Sequence, residues 1–262
     1  MDLGIKDKVA LVTGGSRGIG YEVVVGLLEE GAKVVFCSSN ASDIDTVTAA
    51  LNQHYPDMVL GVCADLSKEG DRTQLVAKAK DQFGSIDILV NNAAVVGRTV
   101  PATELAISEW RQVFEVNFFA AVDLCAQVIP GMKEKSWGRI INISSENGEQ
   151  PDPNMPHYNA TKAALNNLSK TLSGSYGDAN ILVNTVAPAF IKTPMAEEVL
   201  TGYSAENNVG FDEGVKMFLK ANRPGIVLNR FGTPGEVASA VLYLASTHAS
   251  FVTGSVLRVD GG

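Results

Sequence analysis

The chain has 262 residues, 45% hydrophobic and 19% charged, with a formal net charge of −8 at pH 7. That balance excludes a disordered tail or a fibre, and negative charge without a basic stripe excludes general attraction to nucleic acid or anionic lipid. Cys37, Cys63 and Cys125 have no metal-ligand spacing and sit in apolar stretches, which reads as buried thiols in a reducing compartment. With no apolar run of signal-peptide or membrane-span length, the cytoplasm is the expected location and no membrane partner is expected.

The first apolar run, "VALVT" (9–13), leads into "GGSRGIG", where Gly14, Gly18 and Gly20 precede a helix predicted over 19–30. Glycines at a strand-to-helix turn let a pyrophosphate approach the backbone, where unpaired N–H groups and the helix dipole favour negative charge. Ser16, Arg17 and Ile19 share this turn and join the expected cofactor contacts. The second run, "KVVFC" (33–37), ends in Ser38, Ser39 and Asn40, where NAD sites carry an acid for the ribose hydroxyls. Hydroxyls with a guanidinium instead suit a 2′-phosphate, so NADP(H) is predicted, with Arg17 and Ser39 as phosphate contacts.

Further runs follow at 58–62, 86–90, 139–143, 181–186 and 255–259, separated by helical patterns at 68–82, 118–134, 158–174 and 235–246. The runs are almost wholly apolar, as in strands buried on both faces of a parallel sheet. Seven strands alternating with helices predict an α/β, doubly wound parallel sheet in a single domain spanning 1–262.

Four polar residues stand out in this pattern. Tyr158 and Lys162 lie four apart at a helix start, one turn apart on one face, so the ammonium is expected to lower the phenol pKa from near 10. Ser145 follows the strand at 139–143 and lies at the carboxyl edge of the sheet, where open α/β folds bind ligands. Asn117 begins or interrupts the apolar stretch "EVNFFAAVDLCAQVI", where an amide needs partners.

Together, Thr13-Gly14-x-x-x-Gly18-x-Gly20, Asp65, Asn91-Asn92-Ala93, Asn117, Ser145, Tyr158-x-x-x-Lys162 and the segment from Pro188 to Thr193 resemble the short-chain dehydrogenase/reductase family, from about residue 5 to the final "VDGG". The resemblance implies a Rossmann-like fold and a catalytic set of Asn117, Ser145, Tyr158 and Lys162. Tyr158 would exchange the proton, Ser145 bind the substrate oxygen, Lys162 bind the nicotinamide ribose, and Asn117 hold a relay water. Asp65 and Leu66 would meet the adenine, Asn92 and Ala93 line the cofactor floor, and Ile191 and Thr193 meet the carboxamide, with Pro188 also among the cofactor contacts. A homotetramer is also implied.

Ala94 and Ala189 stand where the family commonly has glycine. The segment 194–229 is long and is expected to form a substrate lid of two short helices around "TGYSAENNVG". Expected pocket residues are Val95, Val96, Glu146, Asn147, His157, Phe190 and Met195, mostly apolar, which suits a medium-sized ketone or alcohol. The first reading is an NADP(H)-dependent carbonyl reductase. A 3-oxoacyl-(acyl-carrier-protein) reductase comes second, because the carrier and this chain are both acidic and only Lys133, Lys135 and Arg139 form a basic group. A sugar or polyol dehydrogenase is third and a non-catalytic dinucleotide sensor last.

Overall fold

A computed structural model describes residues 2–262, apart from the side chains of Pro194 and Met195. The strands are β1 (Val9–Thr13), β2 (Lys33–Ser38), β3 (Val59–Cys63), β4 (Ile88–Asn91), β5 (Gly138–Ile143), β6 (Ile181–Pro188) and β7 (Val256–Val259). They form one seven-stranded sheet in the order β3-β2-β1-β4-β5-β6-β7, with every pairing parallel. β1, β4, β5 and β6 are buried throughout, which explains their unbroken apolar runs.

Alternate residues serve opposite faces of the sheet. Ala10, Val12, Val34 and Phe36 join one core with helices α1 (Gly18–Glu29) and α9 (Pro234–Ala245). Val9, Leu11, Val35 and Leu89 join the other with α3 (Glu69–Phe83) and α5 (Ala120–Glu134). Strand order reverses at β1, flanked by β2 and β4, so the crevice beyond the β1 and β4 tips is the place where open α/β sheets bind ligands. The tips are joined there: Thr13 Oγ1 accepts from the Asn92 and Ala93 N–H groups at 2.9 and 3.0 Å, and Asn92 Nδ2 donates to the Thr13 carbonyl at 2.9 Å.

Two helices escape the sequence pattern. In α2 (Ala41–Asn52) only Ile44 and Leu51 are buried; the helix is started by Asn40, whose side chain accepts from the Ser42 and Asp43 N–H groups. In α4 (Ile107–Phe114) only Val113 is buried, and Glu109 anchors its start by accepting from the Ala106 N–H at 2.8 Å. A π-helical turn, Glu115–Phe119, joins α4 to α5, so Asn117 interrupts one long helix.

That helix, Ile107–Glu134, meets the length and composition of a membrane span, contrary to the expectation that no stretch does. Its apolarity has another use: Leu124, Cys125, Val128, Ile129 and Met132 are buried in the core beneath the sheet. Cys63 also departs from expectation. Cys37 and Cys125 are buried, but Cys63 ends the edge strand β3 and is exposed.

The chain from 194 to 229 forms the two expected helices, α7 (Pro194–Glu206) and α8 (Phe211–Asn222), but the break between them is shorter than expected, since 201–206 of the predicted middle are the end of α7. They close on a small core of Leu200, Val215, Leu219, Ile226 and Phe231.

Candidate active site

α1 begins immediately after the glycine turn, and its cap residue Arg17 makes no side-chain capping bond; the first turn holds no acid. The first N–H groups of α1 are therefore free of side-chain caps, in the arrangement that favours a phosphate. Gly14 has φ +66°, and a Cβ there would stand 3.1 Å from the Ala93 Cα. Gly20 allows still closer approach, because a Cβ would run into the Gly14 carbonyl.

These residues floor a cleft of about 410 Å³. Gly14, Ser16, Arg17, Gly18, Ile19, Gly20, Ser38, Ser39, Asp65, Leu66, Asn92 and Ala93, all expected at the cofactor, line it. β2 ends here without a carboxylate: Ser38 Oγ accepts from the Asn40 N–H at 3.3 Å. Asp65 is turned to its own loop, where its carboxylate accepts from the Ser67 N–H and hydroxyl at 3.0 and 2.7 Å, and those bonds hold its pKa below the usual carboxylate value. The backbone cradle, the uncapped helix start and the hydroxyl-rich β2 tip fit a dinucleotide phosphate group.

A second cleft of about 370 Å³ opens over the β5 and β6 tips. Ser145, Tyr158, Lys162, Val96, Pro188, Phe190, Ile191 and Thr193 line it. Ile19, Asn92, Ala94 and Thr193 border both clefts, so the two are continuous. The alanine departures sit here too, Ala94 at the junction and Ala189 on the second cleft's wall.

Helix α6 (Pro156–Tyr176) presents Tyr158 and Lys162. Pro156 opens it with a pre-set φ, placing Tyr158 in the first turn. A buried polar ladder fixes the helix on the sheet. Asn91 Nδ2 donates to Asn142 Oδ1 at 2.8 Å, Asn142 Nδ2 donates to Ser169 Oγ at 2.8 Å, and Thr185 Oγ1 donates to the same hydroxyl at 2.8 Å. Ser169 passes its own proton to the Leu165 carbonyl, completing the donor count.

Lys162 Nζ lies 5.4 Å from the Tyr158 ring centroid and donates to the Ile143 carbonyl at 2.8 Å. Burial pushes its pKa down to about 7. The Tyr158 phenol is raised above its ordinary value, chiefly by burial, with Ser145 opposing and the Glu146 carboxylate adding. The expectation that the ammonium lowers the phenol is thus reversed in the bare protein, because both groups are desolvated and each is driven toward its neutral form.

Asn117 finds the partners its burial demands. Its Oδ1 accepts from the Val95 N–H at 2.8 Å, and its Nδ2 donates to the Val95 carbonyl at 2.9 Å and to Thr161 Oγ1 at 3.3 Å. The amide clamps the 95 segment to α6, so the side chain expected to hold a water is engaged by protein.

Not all expected pocket residues reach the second cleft. Val95 lines the first cleft instead. Asn147 is buried behind Ser145, donating to Asn159 Oδ1 at 2.9 Å. His157 is wholly buried, its Nδ1 accepting from the Tyr158 N–H at 2.9 Å and its ring against Trp110. Glu146 turns to Arg223, whose Nε donates to its carboxylate at 2.8 Å. Met195 lies outside the described side chains. Sequence reasoning missed Met155, Ala196 and Val199, which line the cleft from the loop before α6 and from α7.

The comparisons accord with this geometry. The family model described as short chain dehydrogenase matches residues 8–204. A 3-oxoacyl-(acyl-carrier-protein) reductase of Chlamydia muridarum is 36% identical over 257 residues, covering 98% of this chain and 97% of that protein. A 3alpha-hydroxysteroid dehydrogenase of Mediterraneibacter gnavus is 35% identical over 258 residues, with the same two coverages of 98% and 97%. The crystal structure of L-sorbose reductase from Gluconobacter frateurii, complexed with NADPH and L-sorbose, aligns with a TM-score of 0.94 at 33% identity, covering 100% of this chain and 98% of that one. With its parallel sheet, its glycine turn and a serine, tyrosine and lysine on one cleft, the chain belongs to the short chain dehydrogenase family of oxidoreductases.

Proposed function

We propose that this chain is an NADP(H)-dependent carbonyl reductase, reversible as an alcohol dehydrogenase, with Tyr158 as general acid and base. The observation that carries the reading is that Ser145, Tyr158 and Lys162 share a cleft continuous with the glycine-floored one. Bound there, a nicotinamide supplies or accepts the hydride. In the reducing direction Tyr158, kept as a phenol by burial, donates its proton to the carbonyl oxygen. Ser145 donates a hydrogen bond to the same oxygen. Lys162, over the ring, favours the phenolate left behind. Asn117 holds Val95 and Thr161 in place beside them.

The missing acid at the β2 tip and the presence of Arg17, Ser38 and Ser39 support NADP(H) over NAD(H), as does the NADPH in the sorbose reductase complex. Asp65 and Leu66 flank the adenine, Ile191 and Thr193 the carboxamide, and Pro188 adds a cofactor contact, in a single domain with 194–229 as its lid. A reductase of carrier-bound oxoacyl groups is favoured by the Chlamydia relative, but the basic group is poorly placed to dock an acidic carrier. Lys135 pairs with Asp87 at 2.7 Å and Arg139 is only 2% exposed.

Initial rates with NADPH and NADH on a ketone panel test the reading. NADPH should give a kcat/KM about tenfold or more above NADH, and Tyr158→Phe should lose about 10²- to 10⁴-fold in kcat with an unchanged circular dichroism spectrum. Wild-type turnover by the variant rejects the assignment.

A further inference from the structure

The cleft over Tyr158 is defined as much by the polar groups turned away from it as by those inside. Glu146, Asn147 and His157 flank the catalytic serine and tyrosine in sequence, and each points elsewhere: to Arg223 at 2.8 Å, to Asn159 at 2.9 Å and to the Trp110 ring. The polar side chains that remain on the wall are largely committed within the protein. Asn92 Nδ2 donates to the Thr13 and Gly14 carbonyls at 2.9 and 3.1 Å, and Ser144 Oγ donates to the Lys162 carbonyl at 3.0 Å. Thr193 Oγ1 accepts from the Ala196 N–H at 3.4 Å as the cap of α7.

Lys162 is the one charged side chain among the described lining residues, and it is 2% exposed with its ammonium on the Ile143 carbonyl. Beyond the Ser145 and Tyr158 hydroxyls at the reacting end, the rest of the wall is apolar. Val96 and Met155 stand on one side, and Phe190 is stacked on Phe231 at 5.2 Å and packed on Phe218 at 5.1 Å. At the mouth, α7 leaves Val199 53% exposed, an apolar surface that an apolar ligand would cover.

Resting on the reductase reading of this same site, we propose that the substrate is a neutral ketone with hydrocarbon groups on both sides of the carbonyl, and not a ketose or a keto acid. The ketone carbon takes a hydride from NADPH and its oxygen takes the Tyr158 proton, giving a secondary alcohol and NADP⁺; the phenol regains its proton from solvent. Each hydroxyl of a ketose would be desolvated here without a partner, and a carboxylate would be buried without a free cation. The assignment separates this chain from its structural neighbour L-sorbose reductase despite the shared fold.

The test uses the full chain with NADPH and two matched comparisons: 4-tert-butylcyclohexanone against L-sorbose, and ethyl acetoacetate against acetoacetate. The hydrocarbon ketone and the ester should each exceed their counterparts by at least about 100-fold in kcat/KM. Val199→Arg, on the exposed mouth, should raise acetoacetate relative to its ester by about tenfold or more, by supplying the missing cation. Parity or reversal in either pair overturns the proposal. Saturation-transfer NMR with NADP⁺ reads binding independently of turnover. Hydrocarbon ketone bound in preference to sorbose, with nothing reduced, supports the apolar ligand class and sinks the reductase reading; sorbose or acetoacetate bound in preference, or no ketone bound, overturns the proposal.

Discussion

At the scale of single residues, the proposed mechanism makes the Tyr158 and Lys162 pair decide which direction of reaction is served at which pH. Burial raises the phenol and pushes the lysine down to about 7, so at neutral pH Tyr158 holds its proton. The acid form is the one a reduction consumes, and it is saturated well below the phenol's raised pKa. Oxidation of an alcohol needs the phenolate, whose fraction grows about tenfold per pH unit below that pKa. The reductive kcat/KM should therefore be limited by the Lys162 cation and not by the phenol, flat below pH 6 and falling as the lysine loses its proton through about 7, while the oxidative one climbs from pH 7 to 9. Stopped-flow rates in both directions check this. A flat oxidative profile would mean that the lysine, not burial, sets the phenol's state.

At the scale of elements, Arg223 ties the segment 194–229 to the loop that follows Ser145. Arg223, just past α8, donates to Glu146 at 2.8 Å and to Asp152 at 3.0 Å, with side-chain exposures of 21%, 15% and 20%. Glu146 adjoins Ser145, and burial already lifts its pKa, with Arg223 opposing. Arg223→Ala leaves two half-buried carboxylates beside the site without their cation, a loss of about 1–3 kcal/mol. The variant should unfold at lower temperature, be cut faster within 194–229 by trypsin, and show a raised KM, with Arg223→Lys intermediate. An unchanged cleavage rate would mean that other contacts hold the segment.

The same elements show why some features were readable in the sequence and others not. β1, β4, β5 and β6 could be read because two-faced burial forces apolar residues at every position. α2 and α4 do not stand out, because their stripes are short: Ile44, Val47 and Leu51 in one, and Ile107, Trp110, Val113 and Phe114 within the eight residues of the other. The glycine turn and the Tyr158–Lys162 spacing are local, so their sequence geometry survives folding. The orientations of Asn147 and His157 depend on a loop pinned from afar, by Asn159 Nδ2 on the Asp152 carbonyl and by Arg223 on Asp152, and no periodicity encodes that.

At the scale of the whole molecule, the apolar surface left uncovered bears on assembly. Phe119 is 48% exposed at the end of the π-helical turn, and its ring lies 5.5 Å from Phe118 and 6.4 Å from Phe114. Phe251 is fully exposed, and Val227 and Leu228 are mostly so, close to the chain's last residues through the Leu228 N–H on the Gly261 carbonyl. Aromatic clusters such as that of Phe114, Phe118 and Phe119 are enriched in subunit interfaces, and closed symmetric assemblies are the usual way to cover such a surface. The homotetramer implied by the family resemblance, built partly from the helix over 118–132 and the Tyr158 helix, would cover Phe119. Sedimentation velocity at micromolar concentration should give a tetramer for the wild type and a smaller species for Phe119→Asp, whereas a stable wild-type monomer rejects the assembly. The turn that carries Phe119 also carries Asn117, whose amide clamps Val95 and Thr161 beside the cleft. Phe119→Asp should therefore lower kcat as it dissociates the assembly, with activity recovering as protein concentration is raised; activity independent of concentration would separate assembly from the geometry of the site.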